Sequence, residues 1–123
     1  MALDGLRAGK IHFSFVWTDM LARDDEDAAL SAFESFPPLP NAAHFHDPKR
    51  LVGKKVAESV GAPGRVAWDF YLVYEKGKLW EGAPPPPSAW FHQLGDEAWT
   101  DPAHYKWGKD LGPAIASILD PIL

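Results

Sequence analysis

The chain predicts a single α/β domain, and three observations carry that expectation. Its 123 residues fit one compact unit. Hydrophobic residues make up 46% and charged residues 24%, and six Trp, seven Phe and three Tyr supply apolar area for a core. Strand-like and helix-like runs alternate in the order strand, helix, strand, helix, strand, strand, helix. That order implies a three-layer βαβαββα arrangement with a mixed central sheet.

Residues 10–17 read Lys-Ile-His-Phe-Ser-Phe-Val-Trp, a β-branched and aromatic run that suits a buried strand. Ile11, Phe13, Phe15 and Trp17 share one face, with His12, Ser14 and Val16 on the other. Asp24, Asp25, Glu26 and Asp27 then precede an alanine-rich stretch. Carboxylates complement the positive end of a helix dipole, so a capped, solvated helix start is expected, with a metal loop as the alternative. Leu30 and Phe33 are placed on its buried side. Pro37, Pro38 and Pro40 stop the helix.

Residues 41–46 form a short second strand. Asp47 and Pro48 then suit an N-cap and a first helical position. Leu51, Val52, Val56 and Val60 recur at helical spacing, with Lys49, Arg50, Lys54 and Lys55 on the other side and Gly61 as the terminating glycine. Residues 66–74 read as a long third strand. Residues 75–78 are a turn, and Leu79, Trp80 and Glu81 return as an antiparallel fourth strand. Pro84, Pro85, Pro86 and Pro87 are an extended connector. Residues 88–112 read as irregular or short-helical, with Asp101-Pro102 capping a turn. A last helix opens at Gly112-Pro113 and buries Ile115, Ile118 and Leu119.

The absence of Cys excludes disulfides, thiol catalysis, Cys-ligated zinc and iron–sulfur clusters. A net charge of −5 argues against nucleic acid and anionic membranes as partners. No apolar run is long enough for a signal peptide or a membrane span, so a cytoplasmic protein is expected, or an exported form with its signal removed. Phosphate-binding glycine loops, the Gly-x-Ser-x-Gly elbow and His-Glu-x-x-His are missing.

The order of elements resembles the thioredoxin core. Residues 11–17 resemble the strand that leads into the redox motif, down to its Trp. Residues 41–60 resemble the strand ending in an acid and the helix after it. Residues 70–79 are similar to the strand–turn–strand with its aliphatic run, lysine and turn glycine. The resemblance implies a single thioredoxin-like domain with a core at about residues 10–82, a proline-rich connector at 83–88 and an aromatic-rich segment and helix at 89–123. It also implies a departure. Thr18 and Leu21 stand at the two cysteine positions, and Asp69 stands where the family has a cis-proline. Thiol–disulfide exchange is thereby excluded, whatever the scaffold.

Ligands favour the carboxyl ends of parallel strands. With the first strand between the second and third, that edge collects Trp17, Thr18, Asp19, His46, Asp47, Trp68 and Asp69. Asp19, His46 and Asp69 are candidates for acid–base work, and Trp17, Thr18, Trp68 and Trp90 for binding. His44, His46 and Asp47 are candidate ligands for a divalent metal ion, since residues two apart on a strand point the same way. The plainer explanation is equally concrete: Asp47 caps a helix, Asp69 satisfies backbone donors, and the Trp rings roof the core. The aromatics of the last third anchor an irregular segment, line a groove or form an interface.

Two functional expectations follow. The first is a redox-inactive domain without cofactor that binds a protein partner or a second copy of itself. The second is a metal-binding protein or acid–base enzyme built on the His/Asp edge.

Overall fold

The computed structural model describes residues 11–21, 23–35, 41–95 and 97–119, and these form a mixed α/β structure. Strand β1 (Phe13–Thr18) and strand β2 (Ala42–Asp47) lie parallel, in register from Phe13 opposite Ala42 to Thr18 opposite Asp47. Helix α1 (Glu26–Ser35) makes the crossover between them. The alternation is as expected: Phe13, Phe15, Trp17, Ala42, His44 and His46 are half-buried, while Ser14, Val16, Ala43 and Phe45 are exposed.

The acidic run starts α1 locally. Asp25 accepts the Ala28 N–H at 2.8 Å, and Asp24 accepts those of Leu21 at 2.7 Å and Met20 at 2.9 Å. The Leu21 bond, then the Met20 bond, holds the Asp24 carboxyl below its ordinary range. The inward side of α1 is Ala29 and Ala32 rather than Leu30 and Phe33, which are 52% and 50% exposed. Small residues bring the helix close. The Phe33 ring still meets the sheet, T-shaped against His44 at 4.8 Å. The helix-stopping prolines at 37–40 lie outside the described residues.

Helix α2 (Leu51–Ser59) begins three residues later than the Asp47-Pro48 pair suggests, because residues 48–50 turn first. Asp47 still caps it, accepting the Leu51 N–H at 2.8 Å and the Gly53 N–H at 3.1 Å. Gly53 is required by contact: a Cβ there would sit 2.6 Å from Val66 Cγ1 and 2.9 Å from the Ala67 carbonyl. The close approach lets Ala67 N–H reach the Gly53 carbonyl at 2.8 Å. Val56, Ala57 and Ala67 form the centre of the core, with Val52, Ala62, Phe70 and Leu72 packed on it.

Strand β3 (Phe70–Val73) is shorter than residues 66–74, because Asp69 takes φ 54 and breaks the extension. Its antiparallel partner is β4 (Ala89–His92), with Phe70 opposite His92 and Val73 opposite Ala89. Residues 79–81 are therefore not the returning strand. Leu79 and Trp80 are 70% and 47% exposed, in a long connection that carries the prolines. Pro84 is buried, so the run is packed along the protein before it delivers β4. Short 3-10 turns follow at Pro102–His104 and Gly108–Asp110, and helix α3 (Leu111–Leu119) buries Leu119. Asp101 caps the first of these turns as expected, through Ala103 N–H.

Among the described residues, β1 pairs with β2 and β3 with β4, as two two-stranded sheets. The expected hydrogen-bonded place of β1 between β2 and β3 is not present among them.

Candidate functional site

The carboxyl ends of the parallel strands carry a part-exposed polar cluster. His46 leaves β2 toward the half-buried face, and Asp19 is the residue after the end of β1. His46 Nε2 lies 2.7 Å from Asp19 Oδ1, and each side chain retains 22% of its exposure. A carboxylate oxygen only accepts, so Nε2 carries a proton, and in the neutral ring Nδ1 presents its lone pair. The strand register makes the pair possible. Asp19 N–H continues the ladder to the Asp47 carbonyl at 3.3 Å, which fixes the Asp19 backbone beside His46.

A third member was missed by sequence reasoning. Arg50 donates Nε–H to the Asp19 carbonyl at 2.7 Å. Its backbone lies at φ 60, a left-handed conformation that costs an L-residue about 1–2 kcal/mol. Sequence reasoning set Arg50 with Lys49, Lys54 and Lys55 on the side of α2 opposite its apolar residues. The turn at 48–50 instead directs it across to the end of β1.

Thr18 and Asp47 serve the fold. Thr18 Oγ1 donates to Asp47 Oδ2 at 3.2 Å, and Asp47, 5% exposed, also caps α2. Trp17 and His44 form a separate unit: the indole N–H donates to His44 Nδ1 at 3.0 Å, and Phe15 stacks on the imidazole at 4.7 Å. His44 and His46 share a face, as the spacing predicts, but His44 takes the Trp17 indole N–H while His46 pairs with Asp19. Among the described residues, no three His, Asp or Glu side chains gather in a metal-holding group.

Asp69 belongs to another network. Tyr71 O–H donates to Asp69 Oδ1 at 2.7 Å, and Gln93 Nε2 donates to the same oxygen at 3.1 Å. Burial raises the Tyr71 phenol well above its ordinary range, and the bond to Asp69 adds to it. Gln93 also takes the Gly108 N–H at 2.9 Å, so the network ties β3, β4 and the second 3-10 turn together. Trp68 is half-buried just before it.

Trp90 is packed rather than presented. Phe70 stacks on it at 5.6 Å and His104 at 3.7 Å, and His104 Nδ1–H donates to its carbonyl at 2.8 Å. Phe70 also stacks on Trp99 at 5.8 Å. These rings anchor the irregular segment on β3, while Trp107 is 62% exposed. No protein-family model, curated protein or solved structure matches the chain.

Proposed function

We propose that the protein is a redox-inactive, thioredoxin-like domain that acts by binding, to a protein partner or to a second copy of itself. The βαβαββα order, a parallel first pair and an antiparallel second pair support the scaffold. With no Cys in the chain, dithiol exchange has no chemistry to use. The observation that carries the binding reading is the outer face of the first sheet. Val16 and Phe45 are cross-strand neighbours there, 37% and 53% exposed. Adjacent exposed apolar side chains on a sheet face mark an interaction surface.

Sedimentation velocity of the wild type and of Phe45→Lys across a concentration series tests the self-association form. The expected result is a wild type heavier than the 13.6 kDa chain and a monomeric variant. A wild type that stays monomeric overturns that form.

A second reading rests on the 2.7 Å Asp19–His46 pair. A part-exposed imidazole oriented by a carboxylate, with Nδ1 unbonded among the described residues, has the arrangement of a general base when the ring is neutral. In this reading Asp19 orients the ring and His46 takes the proton. Asp19→Asn should then abolish any hydrolase or proton-transfer activity found in a substrate screen while the fold persists.

A further inference from the structure

Arg50 and His46 together offer more than a base. Residues 49–55 hold Lys49, Arg50, Lys54 and Lys55 and no acid, within a chain of net charge −5. This positive stretch begins where β2 ends, beside the Asp19–His46 pair. The N–H groups of Leu51 and Gly53 are already taken by Asp47, so the positive character comes from side chains and not from an open helix end. Among the described residues the Arg50 side chain, itself exposed, bonds the protein through Nε–H and through neither Nη group. A guanidinium held by Nε presents a planar fork suited to paired oxygens. His46 Nδ1 makes no hydrogen bond with the described residues and can only accept in this tautomer.

We infer that this end of the first sheet binds a small oxyanion that carries a hydroxyl, of the hydrogenphosphate type. Arg50 holds the anionic oxygens, and His46 Nδ1 accepts the hydroxyl proton in a hydrogen bond. Asp19 positions both, its carboxylate holding the imidazole and its carbonyl holding the guanidinium. The left-handed backbone at residue 50 fits this assignment. Glycine would adopt φ 60 without strain, yet the position carries a side chain that reaches the Asp19 carbonyl.

The inference rests on the second reading only for the ring tautomer, which ring nitrogen shifts of the ligand-free protein report separately. The test is a titration of the folded protein with inorganic phosphate, followed through the His46 ring signals, with sulfate as the contrast. Sulfate has the same shape and no hydroxyl near neutral pH. The expected result is a saturable shift with phosphate and binding of sulfate weaker by about tenfold or more. Arg50→Gly relieves the backbone strain and keeps the fold, and should lose the phosphate response. Lys55→Ala removes the same charge five residues along and should change affinity by less than about threefold. Equal binding of sulfate, equal loss in both variants, or no saturable shift would overturn the inference. An Nδ1–H tautomer in the free protein would instead overturn the reading beneath it.

Discussion

His46 and His92 are both strand histidines, and they are held in opposite ways. His92 ends β4 and is fully buried. Its Nε2 donates to the Asp101 carbonyl at 2.8 Å, and its Nδ1 accepts the Leu94 N–H at 3.1 Å. Both nitrogens are consumed by backbone, and Phe70 stacks on the ring at 5.6 Å. His46 is part-exposed, bonded to a carboxylate, and keeps one nitrogen for something else. Burial with complete satisfaction builds structure, whereas partial exposure with a charged partner and an unused lone pair leaves room for chemistry.

The comparison breaks most sharply under truncation. His92→Ala leaves a cavity and strands the Leu94 N–H and the Asp101 carbonyl, so a loss of about 3–5 kcal/mol is expected in urea unfolding. His46→Ala should cost less than about 1 kcal/mol, the scale of an exposed pair. Similar losses at the two sites would remove the distinction.

Asp47→Ala should rank next. It removes the acceptor of the Leu51 and Gly53 N–H groups and the Thr18 partner together, and about 1–2 kcal/mol is expected. Asp19→Asn, one position along the opposite strand, should leave the urea midpoint nearly unchanged and alter the His46 ring signals.

Tyr71 sharpens the picture on the second sheet. Tyr71→Phe leaves Asp69 with the Gln93 amide alone, and about 1 kcal/mol is expected. The pH dependence has a definite sign. The folded state holds the phenolic proton more tightly than the unfolded chain does, so this contribution is complete below the ordinary value of 10.0. It is lost as pH rises from there through the folded value. Stability should therefore fall above about pH 10, less steeply in Tyr71→Phe. Burial raises Tyr74 as well, so part of the decline persists in that variant.

Much of the first half was legible because its signals are local. The alternation in β1, the acids before α1, the spacing of Val52 and Val56, and Gly61 at φ 87 after α2 are written in neighbouring residues. The fourth strand was not. Leu79-Trp80-Glu81 follows a turn-like stretch, and a four-proline run separates the true strand from its partner. That pairing is decided by Phe70, Trp90, Trp99 and His104 stacking on one another, which no window of sequence reveals. The site was half legible for the same reason. Asp19 and His46 follow from strand ends, but Arg50 depends on a left-handed turn at a residue with no propensity for it. Gln93 depends on a strand placed elsewhere by the local pattern.

The most direct measurement is a nitrogen-15 ring correlation of the histidines in the native protein. His44, His46 and His92 are expected as Nε2–H tautomers, with the His92 ring proton protected from exchange and the His46 ring responsive to Asp19→Asn and to solvent. A His46 ring protonated on Nδ1, or one indifferent to Asp19→Asn, would contradict the pairing on which the open site is built.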